Sequence, residues 1–548
     1  MHKRTLIVMT LCFIFAPSSC TKKSSKKETP LVSSAPQTNN PPTANQDKQT
    51  SPGGQLNGSA SGKGGSETGQ EEDPGQNAGR LPSLESALAL HPDLLKKSSQ
   101  ELLALYRPLA NGSAWNPKTT RVDPILEWNE IMLDANARDH EQKTPDQGGP
   151  TRTSRAFAIT HLAMYDAYVS VIQVSDPYLP SVKAPANTNA AVAASTAAYV
   201  SLSFLYPSQA GRFEQAIHTS LQRYTYGVAE YNGIILGKYM ALRMLLDRKN
   251  DGSEVAGRYE PSGDIGTHDV DPLNPNQGFL DPNWGSVRPF ALPNTNRFTA
   301  PPPPSLRSRE YAAAFEEVKT LGGDGVTTPT IRTDEQTVIG IFWAYDGAPG
   351  LGTPPRLYNQ ITRVIASQKK NKVAENARLF ALVNMAMADS GIQCWSDKYD
   401  AIFWRPIRGI RSGDQDGNSR TEGNPQWAPL GAPASNTRNR NFTPNFPAYT
   451  SGHAVFGAAS MGMIRQFYGT DRIAFSFRSD EFNGRTTGSD GKVRPEISRT
   501  YQTLTQAIEE NGQSRIYLGI HWAFDRDQGI RTGLGIAAYI AESQLRLR

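Results

Sequence analysis

With 548 residues, a net charge of +5 and three cysteines, the chain is long enough to bury a large core. It carries no basic excess that would point to nucleic acid, and too few cysteines for a disulfide-built scaffold.

The first segment, 1–20, has the layout of an export signal. Lys3 and Arg4 precede an apolar run, Ser18 and Ser19 follow it, and Cys20 comes next. The run is too short to span a bilayer. A cysteine at this place is where bacterial lipoproteins are acylated, although Pro17 stands where an aliphatic residue is usual. The expectation is therefore an exported protein held at a membrane surface by a lipid on Cys20. Cys12 lies within the signal, so Cys394 is left alone in the folded part and no internal disulfide is expected.

Segment 21–80 is built from Ser, Gly, Asn, Gln, Pro, Lys and Glu with almost no large apolar residues. It cannot offset its ordering entropy by burial and reads as a tether. Folded sequence follows as two helical halves, 81–304 and 305–548. Apolar spacing predicts helices over 124–137, 153–172, 190–204, 212–224 and 229–247. A long Asp-, Pro-, Asn- and Gly-rich stretch over 250–304 reads as a loop packed over the helical body. Residues 247–252, at its start, faintly resemble a cation loop, but the ligand pattern is incomplete and that reading is discounted. Helical spacing resumes over 308–321, 334–345, 356–367, 374–391, 452–468, 499–510 and 524–545, and alternating strands are scarce. The expected class is all-α, with two helical-bundle halves and the functional site in the C-terminal bundle.

Three segments of the second half look unlike core filler. In Lys398-Tyr-Asp-Ala-Ile-Phe-Trp-Arg405-Pro406, a continuous helix would return Arg405 to within about 20° of the face of Lys398. Two cations could then converge on one anion among Trp395, Phe403 and Trp404. Ser451-Gly452-His453 stands directly before an apolar helix, where a hydroxyl, free backbone N–H groups and the positive dipole end suit an anion. Ser514-Arg515 and His521 add a guanidinium and an imidazole, with Asp525 four residues on to orient the ring. His161 reads as a core residue, and His140, His218 and His268 fall in polar surroundings without ligand spacing.

Lys-x6-Arg-Pro, Ser-Gly-His and Ser-Arg-x5-His-x3-Asp, in this order, resemble the signature shared by vanadium-dependent haloperoxidases, type 2 phosphatidic acid phosphatases and bacterial acid phosphatases. Thr450 departs from the pattern, which usually has proline there. Outside the signature, Phe342-Trp-Ala-Tyr-Asp346-Gly, Gly352-Thr-Pro-Pro-Arg-Leu-Tyr-Asn-Gln-Ile, Ala377-Arg-Leu-Phe-Ala-Leu-Val and Leu430-Gly-Ala-Pro-Ala resemble the fungal vanadium chloroperoxidases. Looser likeness extends upstream through Trp128-Asn129, Tyr165-Asp166-Ala167 and Arg297-Phe298.

The resemblance implies a vanadate cofactor. Lys398, Arg405 and Arg515 would neutralise its oxygens, Ser451 and the Gly452 N–H would donate to them, and His521 would be the metal ligand. It implies acid–base work by His453, a pairing of Asp346 with Arg515, and Lys398 polarising hydrogen peroxide for attack by halide. Trp395 and Phe446 would border the halide, and phenylalanine at 446 matches chloroperoxidases, where bromoperoxidases typically carry histidine. The implied partners are hydrogen peroxide, chloride, bromide or iodide, and small organic nucleophiles, with the membrane engaged only through the lipid. Two other readings stay open. One is a phosphomonoesterase with His521 as nucleophile and His453 protonating the leaving group. The other is a surface lipoprotein that binds an anion without turnover.

Overall fold

The carboxylate of Asp123 accepts hydrogen bonds from the N–H groups of Ile125 and Leu126, with Pro124 at the first helical position. This is the cap and proline pairing that starts a helix, and α1 (Pro124–Asp139) follows. The computed structural model describes residues 122–180, 184–185 and 187–548. The expected signal 1–20 with Cys20, the tether 21–80 and residues 81–121 of the first half lie outside the described residues.

The fold is mostly helical. After α1 come α2 (Gly149–Ile172), α3 (Ala190–Leu205), α4 (Ala210–Leu221) and α5 (Val228–Asp247). The second group is α6 (Arg309–Leu321), α7 (Asp334–Phe342), α8 (Pro354–Lys369), α9 (Val373–Ala401), the short α10 (Pro406–Arg411), α11 (Gly452–Tyr468), α12 (Leu504–Tyr517) and α13 (Ala523–Ser543). Within the first group α3 packs on α2 and α5, and within the second α11 packs on α13. Among the described residues no single helix is long and apolar enough to cross a membrane.

α9 joins the two groups. Its 29 residues are buried almost all round from Asn376 to Lys398, as befits a helix at the centre of a large core, and it packs on α2, α11 and α13. One apolar cluster accordingly runs from Ile125 to Leu545. A second one, under α6 and α10, gathers Tyr311, Phe315, Trp404, Trp427 and Trp522.

Residues 250–304 contain only two short 3-10 turns and form the expected packed loop. Trp284 and Phe290 are buried and Phe298 packs against Tyr539. The Asp389 carboxylate on α9 fastens this loop by accepting from the N–H groups of Phe290, Ala291 and Leu292 at 2.5, 2.8 and 2.8 Å. At its start Asp251 is held between Arg155 and Arg248 at 2.8 and 2.9 Å, so 247–252 is an ion-paired brace and not a cation loop.

Two expectations are corrected. Residues 499–510 are not one helix: Arg499 and Tyr501 belong to β2 (Glu496–Tyr501), which pairs antiparallel with β1 (Phe475–Asn483), and α12 begins only at Leu504 after the Thr503 cap. Phe475 and Phe477 alternate with Ser476 and Arg478 in burial, a period of two that a helical reading passes over. Lys398 and Arg405 likewise do not share a helix. α9 stops at Ile402, which adopts a left-handed conformation (φ 50°), and Arg405 is extended because Pro406 follows it.

Candidate active site

The two cations meet despite the broken helix. Arg405 caps α10, and its Cζ lies 4.8 Å from the centroid of the Phe446 ring, while Lys398 Nζ lies 5.0 Å from the same ring. Lys398 is fully buried and donates to the carbonyl oxygens of Pro447 at 2.8 Å, Ala448 at 3.1 Å and Thr450. Those bonds use all three of its protons, so in this arrangement it contributes charge to the site more than a free N–H. Burial pushes its ammonium down to about 7. Burial, with repulsion from Arg515 beside it, brings Arg405 down to about 9.

Ser451 is the N-cap residue of α11, yet its hydroxyl makes no capping bond and is buried without a partner. The first turn of α11 therefore presents a hydroxyl, orphan N–H groups and the positive dipole end together. Arg515, from the last turn of α12, donates through Nη2 to Asp346 Oδ1 at 2.7 Å. Its Nε and Nη1 are buried without partners, as is Nη2 of Arg405. Unpaired buried donors cost free energy, and here several from three separate elements, the starts of α10 and α11 and the last turn of α12, gather in one place. Among the described residues no group of three or more His, Cys, Asp or Glu could hold a bare metal ion. The donor set is that of an oxyanion cradle.

Two histidines complete it. His521 Nδ1 lies 2.9 Å from Asp525 Oδ2. A carboxylate there fixes the proton on Nδ1 and leaves the Nε2 lone pair, which accepts from Arg405 Nη1 at 2.9 Å. Burial and the neighbouring cations, Arg405 foremost, hold this imidazole well below its usual pKa. His453 Nε2 lies 2.6 Å from the Ala344 carbonyl oxygen. A carbonyl can only accept, so the proton sits on Nε2 and Nδ1 is the basic nitrogen. Burial and then Arg515 hold His453 down at about 3.

A cavity of about 190 Å³ opens onto this cradle, lined by Gly452, His453, Arg515, His521 and Asp346 at one part and by Pro145, Leu280, Trp395, Phe442, Pro444 and Phe446 elsewhere. Trp395 and Phe446 face each other with centroids 4.8 Å apart.

Residues 378–548 match the family model described as the VCPO second helical-bundle domain. The vanadium chloroperoxidase of Curvularia inaequalis is 33% identical over 492 residues, spanning 75% of this chain and 80% of that protein. The chain belongs to the vanadium-dependent haloperoxidase family. Solved structures agree on the fold. A bacterial vanadium-dependent iodoperoxidase superposes with a TM-score of 0.64 at 20% identity, over 79% of this chain and 99% of that one. The holo form of a bacterial vanadium-dependent chloroperoxidase gives a TM-score of 0.54 at 15% identity, over 76% and 97%.

In this haloperoxidase the residues singled out in the sequence come together from the C-terminal end of α9, the loop after α7, the start of α11, the end of α12 and the start of α13. Cys20 lies outside the described residues. His161 is a core residue that stacks on Phe380. His140 and His268 depart from the expectation of polar surroundings, since both are buried, and His140 lines the cavity. It caps the end of α1 among polar sequence neighbours, and the loop after α7 comes close to its ring, a contact of which local sequence carries no signal.

Proposed function

We propose that the chain is a vanadium-dependent haloperoxidase that oxidises halide with hydrogen peroxide to hypohalous acid. The observation that carries this reading is the convergence of buried, unpartnered donors, Ser451 Oγ, Arg405 Nη2 and Arg515 Nε and Nη1, beside His521 Nε2, the acceptor nitrogen that Asp525 leaves unprotonated and that Arg405 Nη1 meets. An oxyanion of vanadate's shape and charge satisfies those donors, and a neutral imidazole nitrogen is the kind of atom that ligates vanadium. When bound, vanadate supplies Lewis-acid activation of hydrogen peroxide without changing oxidation state.

The protein's own groups do the rest. Arg405, Arg515 and the start of α11 balance the anion's charge, and Lys398 adds a cation whose protonation is poised near neutrality. His453 takes and returns a proton at Nδ1, as its neutral state allows. Asp346 holds Arg515 in place. Trp395 and Phe446 make a dry wall beside the cations, a place where a halide can shed water and remain near positive charge. Phenylalanine at 446 favours competence with chloride as well as with bromide and iodide.

The test is halogenation of a dione probe by apoprotein with hydrogen peroxide and each halide, before and after orthovanadate is added. Activity that appears only with vanadate and disappears in His521→Ala supports the assignment. Cleavage of a phosphate ester with no halogenation would replace it with a phosphatase. We further propose export and lipid anchoring through Cys20, motivated by Lys3, Arg4 and the apolar run before it. Cys20→Ser should move the enzyme from the membrane fraction to the soluble exported fraction, and retention in the membrane would refute the anchor.

A further inference from the structure

Two residues that line the cavity, His140 and Thr353, each carry a buried polar atom that takes no part in the cradle. His140 is the C-cap residue of α1 and is 8% exposed. Its Nδ1 lies 2.9 Å from the Asn136 carbonyl oxygen, so the proton sits on Nδ1 and Nε2 presents a lone pair. That Nε2 is buried and has no hydrogen-bond partner. Thr353 Oγ1, on the same wall, is also buried without one. The ring is seated beside the loop that carries Asp346, since a Cβ built on Gly347 would stand 3.7 Å from His140 Cδ2. Burial, followed by repulsion from Arg356, holds His140 down at about 4. It is therefore a neutral acceptor at any working pH above that.

A neutral acceptor adds nothing to the oxyanion's charge balance, which the cations and N–H groups of the cradle supply. It suits an O–H or N–H donor on a molecule that enters the cavity. Away from the cradle the cavity is mainly apolar, with Pro145, Leu280, Phe442 and Pro444 on its surface beside the one amide of Asn445, which donates to the Gln277 carbonyl. An apolar wall with one buried acceptor and one hydroxyl matches a small planar molecule carrying an acidic hydroxyl on an unsaturated carbon.

We propose that His140 Nε2, assisted by Thr353 Oγ1, binds the hydroxyl of a phenolic or enolic acceptor, so that halogen transfer takes place inside the cavity on an oriented ring. The inference rests on the haloperoxidase reading, which supplies the hypohalous acid. In the transfer a carbon–halogen bond forms at the activated carbon and the oxygen–halogen bond breaks. The carbon loses its proton to the departing hydroxide, which leaves as water; the acceptor is oxidised and the halogen reduced by the same two electrons. A hydrogen bond from the hydroxyl to His140 enriches the ring in electrons and fixes which carbon faces the cradle.

The test uses the vanadate-loaded full chain with bromide and either phenol or anisole, which lacks the hydroxyl, and compares product ratios with those from hypobromous acid added at the same pH. Wild-type enzyme should brominate phenol with an ortho-to-para ratio shifted about fivefold from the free reagent, the effect of one neutral hydrogen bond. Anisole should show no shift. His140→Leu should return phenol to the free-reagent ratio, and His140→Gln, which keeps an acceptor, should preserve the wild-type ratio. Triiodide formation from iodide needs no organic acceptor and reports separately on the anion site. A wild-type phenol ratio equal to that of the free reagent overturns the proposal, as does a His140→Leu enzyme that keeps the wild-type ratio. Absence of triiodide from wild-type enzyme with vanadate overturns the haloperoxidase reading, and this proposal with it.

Discussion

Asp346 accepts a hydrogen bond from Arg515 Nη2 at 2.7 Å, so one carboxylate on the loop after α7 holds the last turn of α12, and it stands 4.0 Å from His453 Nε2, whose proton goes to the Ala344 carbonyl. Asp346→Asn keeps the side chain's shape and removes its charge, leaving Arg515 without its counter-ion. Supporting residues around a metal site typically set 10–100-fold of affinity. The vanadate concentration giving half-maximal activity should accordingly rise about 10–100-fold in Asp346→Asn. A titration curve that overlays wild type would remove Asp346 from the site.

Lys398 gives the anion site a pH dependence whose sign follows from its burial. Its pKa is depressed to about 7 in the protein without an anion, and an anion placed beside it favours the charged form. Binding above pH 7 must then take up as much as one proton, and affinity should fall by up to about tenfold per pH unit there. Tungstate keeps a constant charge over this range and isolates the protein's contribution. Calorimetric titration of apoprotein in buffers of different ionisation enthalpy reads the proton uptake directly. Lys398→Met should show none, and equal uptake in the variant would assign the proton to another group.

Much of this site is legible in the sequence, because the order of charged residues and helix starts carries geometry. Asp525 follows His521 by four residues and does reach its ring, although His521 stands just before α13 and Asp525 reaches back to it from the first turn. Ser451-Gly452 sits where an apolar run begins, and α11 does start there. Spacing failed where the chain leaves the helix. Lys398 and Arg405 converge because Ile402 turns left-handed and Pro406 forces Arg405 extended, a route that a helical wheel does not contain. The pairing of Asp346 with Arg515 could be reached only through the family resemblance, since 169 residues separate the two.

Close helix approach is the next dependence. A Cβ built on Gly533 of α13 would lie 2.3 Å from the Val455 carbonyl oxygen and 2.9 Å from Ala458 Cβ, and one on Gly529 would lie 2.9 Å from the Ser451 carbonyl oxygen. Bare glycines on α13 thus let α11 lie against it with Ser451 at the required place. Gly533→Ala must push α11 outward, costing about 1–3 kcal/mol as overpacked cores do and moving the anion-binding turn. Gly211→Ala in α4 meets nothing within 4 Å, so it should leave stability unchanged or raise it by about 0.5 kcal/mol. Urea denaturation and vanadate titration of both variants check this, and equal stability of the two would refute the packing argument.

The acid stability of the fold should depend on His161, far in sequence from the signature. Its Nε2 lies 2.9 Å from Asn129 Nδ2, its ring stacks on Phe380 with centroids 5.4 Å apart, and burial, then repulsion from Arg363, depresses its pKa to about 3. The unfolded chain takes up the proton near the ordinary value of 6.5, whereas the folded chain does not until about 3. The neutral ring therefore contributes stability that is fully present above 6.5 and is lost as pH falls towards 3. Between pH 6.5 and 5 this one group removes on the order of 1.5 kcal/mol, the linkage of a single proton. His161→Gln lowers stability at neutral pH by loosening the stack, but it cannot titrate. The stability gap between wild type and His161→Gln, measured by urea denaturation, should then narrow by about that amount on going from pH 6.5 to 5. A gap independent of pH would mean that the buried ring takes its proton as readily in the folded chain as in the unfolded one.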